Sequence, residues 1–192
     1  MSAGRHIEIC GVVQGVGFRP WVYNLARAAG VTGSVSNDAA GVVIDAFATA
    51  ESALDAFVAR LHEKPPQAAR IERLSWTPLA VALAPGSFEI VESSGNGERR
   101  PSIPADLATC DACLREVSDP HDRRYRYAFT SCTHCGPRFT IALDVPYDRA
   151  TTTMAPFPMC ASCLREYADP GDRRFHAQPN ACPRCGPSLR RA

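Results

Sequence analysis

Residues 110–135 read CDACLREVSDPHDRRYRYAFTSCTHC, and residues 160–185 read CASCLREYADPGDRRFHAQPNACPRC. Each stretch opens and closes on a Cys-x-x-Cys pair: Cys110/Cys113 and Cys132/Cys135 in the first, Cys160/Cys163 and Cys182/Cys185 in the second. The pairs are separated by 18 residues in both copies, and the second copy lies 50 positions after the first. Shared residues extend well past cysteine. Leu114-Arg115-Glu116 returns as Leu164-Arg165-Glu166, Asp119-Pro120 as Asp169-Pro170, Asp122-Arg123-Arg124 as Asp172-Arg173-Arg174, and Gly136-Pro137 as Gly186-Pro187. The pattern is a tandem duplication of a metal-binding module. Two thiolates separated by two residues on a tight turn grip a tetrahedral ion from one side, and a second such pair completes the four-sulfur shell that zinc favours. Two Zn2+ per chain are expected.

These eight cysteines divide in one of two ways. Duplication favours self-sufficient copies, with Cys110, Cys113, Cys132 and Cys135 on one ion and Cys160, Cys163, Cys182 and Cys185 on the other. A crossed arrangement, in which outer pairs share one ion and inner pairs the other, has the same stoichiometry. A disulfide framework is the competing account of an even set of cysteines, but it belongs to small secreted domains. Here no apolar signal segment follows Met1 and no membrane-spanning stretch occurs, so a reducing, cytoplasmic location is expected.

Charge adds an exclusion. The chain holds 20 arginines and one lysine, Lys64, nearly balanced by 20 acids. From Cys110 onward the formal charge of +3 is offset by the −4 that eight thiolates and two zinc ions contribute together. Such a balance gives no electrostatic case for nucleic acid.

Only Cys10 precedes residue 110, which separates a first domain over about 4–92 from a finger region over 109–190. Segment 93–108, with Ser93-Ser94-Gly95-Asn96-Gly97, Pro101 and Pro104, reads as a linker. In the first domain, His6 to Val13 alternates as a half-buried strand. Pro20, with a φ suited to a helix start, opens a helix that ends at Gly30. Val31–Ser36 and Gly41–Ala48 are strands joined at Asn37-Asp38. Leu54, Phe57, Val58 and Leu61 form the buried stripe of a second helix closed by Pro65-Pro66. Arg70–Trp76 and Ser87–Val91 complete a strand-helix-strand-strand-helix-strand order with a terminal strand, an α+β sandwich of the ferredoxin-like kind. The finger region has few apolar runs, so metal must replace core there.

Between the first strand and first helix runs Gln14-Gly15-Val16-Gly17-Phe18-Arg19. Gly15 and Gly17 let the backbone approach a ligand, amides at the head of a helix point outward, and Arg19 adds a forked cation. Such a cradle suits a phosphate. The plainer account is a tight turn beside a solvated arginine. Cys10 reads as a packed small hydrophobe, and His134 as exposed within its knuckle. Arg123-Arg124 and Arg173-Arg174 read as partners of the aspartates just before them. His121 and His176 lie outside the Cys-x-x-Cys turns, His176 with a structural or domain-contact role.

The stretch Gly11-Val12-Val13-Gln14-Gly15-Val16-Gly17-Phe18-Arg19 resembles the signature of the acylphosphatases, and Gly33-Ser34-Val35-Ser36-Asn37 resembles their second motif. The cysteine region is similar to the zinc-finger pair of the HypF family, hydrogenase maturation factors with carbamoyltransferase activity. Arg138-Phe139-Thr140-Ile141, Pro146-Tyr147-Asp148-Arg149 and Arg173-Arg174-Phe175-His176 carry that likeness. Together the two likenesses span residues 5 to 190.

The resemblance implies that Arg19 and the amides of Gly15, Val16, Gly17 and Phe18 bind the phosphate of an acyl phosphate, and that Asn37 orients the attacking water, with no metal at that site. For the HypF family the substrate is carbamoyl phosphate, the acceptor a HypE-like partner, and the product the cyanide ligand of a nickel–iron centre. Family members continue into nucleotide-binding and transferase domains beyond the second finger, so the chain, ending at Ala192, is expected to be an amino-terminal fragment. A catalytically silent zinc-finger scaffold or protein-docking module is the alternative.

Overall fold

The computed structural model of the chain describes residues 3–81, 84–93 and 106–189, so most of the inferred linker, 94–105, lies outside the described residues. The first domain contains β1 (Ala3–Val12), α1 (Phe18–Ala29), β2 (Thr32–Asn37), β3 (Gly41–Ala48), α2 (Glu51–Glu63), β4 (Arg70–Pro78) and β5 (Phe88–Ile90). The strands lie in the order β4-β1-β3-β2-β5. All pairings are antiparallel except the β2–β5 pair, which is parallel.

Alternation dictates the buried face. Ile7 and Ile9 of β1, Val35 of β2 and Ile44 of β3 meet Val22 of α1 and Leu54, Phe57 and Leu61 of α2 in one core. Each of these fully buried side chains contributes about 1.5–3 kcal/mol. Cys10, opposite in parity to Ile9, is on the other face of the sheet. It is partly exposed and receives Arg73 Nη2 at 3.4 Å, so it packs less than expected. Helix α1 also starts two residues before Pro20, on a left-handed Gly17, and stops at a left-handed Gly30. Proline is harmless there because the first four amides of a helix have no partner within it.

The finger region has two eight-residue helices, α3 (Asp111–Ser118) and α4 (Ala161–Ala168), each following the first cysteine of its copy. Three 3-10 turns, Thr133–Cys135, Phe139–Ile141 and Arg149–Thr151, are its other helical elements among the described residues, and most of the rest is irregular. Its buried clusters are small, one of them made of cysteine alone. The copies share backbone geometry in detail: Arg126 and His176, at matching positions, both adopt positive φ (55° and 51°). Their amides donate to Val117 O and Tyr167 O at 2.9 and 3.0 Å, folding each chain back on its helix.

The two halves pack together. Tyr23 of α1 meets Phe175 edge-on at 5.2 Å, and Asn24 Nδ2 donates to Pro170 O at 3.3 Å. Both described ends of segment 93–108 are engaged as well. Ser93 reaches Asp148, while Asp106 Oδ1 accepts the Phe139 amide at 2.6 Å.

Candidate functional site

Gly15 and Gly17 both have positive φ, 71° and 74°, and glycine is needed for space as well. A Cβ on Gly15 would stand 2.6 Å from Pro137 Cβ and 3.1 Å from the Tyr147 ring; one on Gly17 would stand 3.0 Å from Thr133 Cβ. All three neighbours belong to the finger region, so the glycine turn is sandwiched between the halves. Among the described residues no backbone partner takes the amides of Gly15, Val16 or Gly17, and Phe18 and Arg19 open α1. Unpartnered amides at the head of a helix carry the positive end of its dipole.

Arg19 is not the solvated arginine of the plainer account. It is only 8 % exposed. Nη2 lies 2.6 Å from Asp148 Oδ1 and Nη1 lies 3.4 Å from Ser93 Oγ, while Ser93 Oγ donates to Asp148 Oδ2. Asn37, at the end of β2, is 1 % exposed, and neither its side-chain oxygen nor its nitrogen has a partner among the described residues. Leaving such buried groups unmatched costs about 1–3 kcal/mol each.

Gln14 joins the pieces. Its Nε2 donates to Asp38 O and Gly41 O, both at 2.8 Å, tying the glycine turn to the turn beside Asn37. Its Oε1 accepts the Tyr147 amide at 2.9 Å, tying both to the finger region. A small cavity of about 30 Å³ opens between Gly15, Gly17 and Arg19 on one side and Thr133, His176 and Gln178 on the other. Burial first, and then the charge of Arg19, pushes the His176 imidazole down to about 4, so this wall is neutral near pH 7. The sequence names neither Gln14 nor Asp148 as functional. Both sit inside quoted motifs, and only the fold brings them together.

The sulfurs group by copy. Cys110, Cys113, Cys132 and Cys135 form one set and Cys160, Cys163, Cys182 and Cys185 another, the atoms of each within 4.8 Å of one another. None of the eight is in a disulfide. Sulfur–sulfur separations in the first set run 3.6, 3.8 and 3.6 Å, and in the second 3.8, 3.7 and 3.6 Å. A tetrahedron with Zn–S bonds of about 2.3 Å has edges of about 3.8 Å, so both sets fit that ion. His134 is exposed beside the first set, and His121 is exposed too.

The arginine pairs depart from expectation. Asp122 Oδ1 accepts the Arg124 amide and Asp172 Oδ1 the Arg174 amide, each at 2.7 Å, so the aspartates cap backbone. The guanidinium groups cross to the other copy. Arg124 reaches Glu166 at 2.6 and 3.0 Å and Ala181 O at 2.9 Å; Arg123 lies 2.5 Å from Glu166 and 3.4 Å from Cys163 Sγ. Reciprocally, Arg173 and Arg174 pair with Glu116, and Arg173 Nη1 lies 2.8 Å from Cys113 Sγ. Burial would raise the Glu166 carboxyl, but hydrogen bonds from Arg124 and Arg123 hold it down at about 2.

Comparison with known proteins agrees with this two-part design. The acylphosphatase family model matches residues 5–90, and the HypF finger model matches 109–142 and 159–191. A crystal structure of full-length HypF in the phosphate- and nucleotide-bound form superposes with a TM-score of 0.91 at 47% identity, covering 98% of this chain and 25% of that one. The chain belongs to the HypF family. Carbamoyltransferase HypF2 of Cupriavidus necator is 52% identical over 153 residues, 79% of this chain and 19% of its own length. An acylphosphatase of Mesorhizobium japonicum is 36% identical over 84 residues, 44% of this chain and 88% of its own. The chain thus spans about a fifth of the length of the HypF relative it matches. No helix among the described residues is long and apolar enough to cross a membrane.

Proposed function

We propose that the cradle hydrolyses an acyl phosphate, carbamoyl phosphate in this family, as the entry step of a carbamoyltransferase that makes the cyanide ligand in nickel–iron hydrogenase maturation. The observation that carries this reading is Asn37: a buried amide with donor and acceptor both unmatched among the described residues, next to Asp38, whose carbonyl Gln14 ties to the glycine turn. Arg19 and the amides of Gly15 to Phe18 receive the phosphate oxygens. Asn37 accepts a hydrogen bond from the water and aims its oxygen at phosphorus.

In the step itself, the water oxygen bonds to phosphorus and the bond from phosphorus to the acyl oxygen breaks. Carbamate departs with that electron pair, and the water proton ends on a phosphate oxygen. A carboxylate-type leaving group needs no acid, so positioning and charge stabilisation suffice. The neutral His176 wall adds no competing cation. Two zinc ions in the four-sulfur sets hold the finger region in shape, replacing the core it lacks. A cytoplasmic location suits the reduced thiols, and contact with a HypE-like partner is assigned to segments of the relatives outside this chain.

Phosphate release from carbamoyl phosphate tests this, without added metal at the cradle. Arg19→Ala should abolish turnover. Asn37→Ala should slow it about 100-fold or more while inorganic phosphate still binds. Near-normal turnover in Arg19→Ala would show that the cradle is misassigned, and a folded but inactive wild type would favour the scaffold reading.

A further inference from the structure

We propose that Asp148, supplied by the finger region, is the positioning residue for Arg19, so that the acyl-phosphate site is built from both halves of the chain. This rests on the reading of the cradle given above. The two residues are 129 positions apart and meet at 2.6 Å through Nη2 and Oδ1. Ser93 closes a ring with them, its Oγ lying 3.4 Å from Arg19 Nη1 and donating to Asp148 Oδ2.

The backbone that carries this carboxylate is anchored independently of the arginine. Asp148 is the N-cap of the 3-10 turn Arg149–Thr151, its carbonyl accepting the Thr151 amide at 2.9 Å and its own amide donating to Thr151 Oγ1 at 3.1 Å. That amide also lies 3.0 Å from Pro146 O. Asp148 is therefore a fixed buttress. A loop free to swing away when phosphate arrives would lack these ties.

An arginine side chain carries about 2 kcal/mol of rotamer entropy, and holding it in place beforehand removes that cost from substrate binding. A nearly buried cation also needs a counter-charge in the empty site. The titratable groups near the guanidinium from the finger region are Asp148, the neutral His176 and Tyr167; Ser93 faces it from beyond β5. Among the described residues, Asp148 and Ser93 engage two of the five guanidinium N–H groups, which leaves three for phosphate oxygens.

The test uses the full chain with metal bound. Asp148→Asn keeps the shape and an acceptor for Thr151 but removes the charge, and Asp148→Glu restores the charge at a different reach. Inorganic phosphate affinity, kcat and KM with carbamoyl phosphate, and 15N NMR of the Arg19 guanidinium are measured alongside metal content. Positioning predicts that Asp148→Asn weakens phosphate and lowers kcat/KM about 10- to 100-fold, frees rotation of the Arg19 Nη groups, and leaves metal content unchanged. Asp148→Glu should recover part of the loss. Unchanged or tighter phosphate binding in Asp148→Asn, with the Arg19 signals as in the wild type, would overturn the proposal. Should the wild type bind no phosphate and turn over no substrate, the cradle reading fails separately. The Arg19 signals still decide, since a restricted fork freed by Asp148→Asn supports the buttress and identical signals refute it.

Discussion

Replacing Arg173 with alanine should release metal from the repeat to which Arg173 does not belong. Its Nη1 lies 2.8 Å from Cys113 Sγ in the first copy, and its backbone carbonyl, which accepts the Thr133 amide at 3.0 Å, is untouched by the substitution. A charge-assisted bond of this kind contributes about 1.5–3 kcal/mol. With the side chain one-fifth exposed, the lower half of that range applies, about 2 kcal/mol. That corresponds to about a 30-fold weaker hold on the ion of Cys110, Cys113, Cys132 and Cys135. The zinc-loaded chain would be titrated with a competing chelator, and cysteines freed at each step trapped by alkylation and located by peptide mass spectrometry. The first-copy cysteines should label first in Arg173→Ala, and the second-copy cysteines first in Arg123→Ala. Labelling that begins in the copy carrying the substitution, or equally in both, would refute the crossed support.

Gly15→Ala should destabilise the contact between the halves by about 2 kcal/mol or more, because positive φ and the approach of Pro137 both oppose a Cβ; thermal unfolding and turnover read this. His176, held near 4 against an unfolded value of 6.5, binds fewer protons when folded. The stability it contributes is therefore present above about pH 6.5 and lost as pH falls through 4. Urea unfolding should show a loss of about 2 kcal/mol between pH 7 and pH 5 that His176→Gln removes. Chelation should unfold the finger region while the sheet of the first domain survives, as circular dichroism would show. It should also depress hydrolysis, since Asp148 and the roof over the glycine turn go with the fingers.

The first domain was legible because strand alternation and helical stripes record burial directly: Ile7, Ile9 and Ile44 lie where parity places them. The cysteine repeat was legible for a different reason, since ligand spacing is a local property of the chain. What escaped was whatever depends on two distant segments meeting. Asp148 carries no mark that it faces Arg19, and Gln14 reads as filler between glycines until its three hydrogen bonds are seen. The arginine pairs misled because proximity in sequence suggested Asp122 and Asp172 as partners. Those carboxylates are already occupied by backbone amides, which leaves the guanidinium groups to look across to the other copy.

That crossing separates the unit that was copied from the unit that stands on its own. A half expressed alone over 105–145 would keep four sulfurs and Glu116, but the guanidinium groups that neutralise them would be missing, having stayed with the other half. A single copy would find such partners only by pairing with a second molecule, each lending its arginines to its twin. Once fused, neither copy could be lost without orphaning the other. Such mutual dependence leaves the sequences free to diverge elsewhere, as Arg126 and His176 have, one in solvent and one lining the cavity beside Gly15, Gly17 and Arg19.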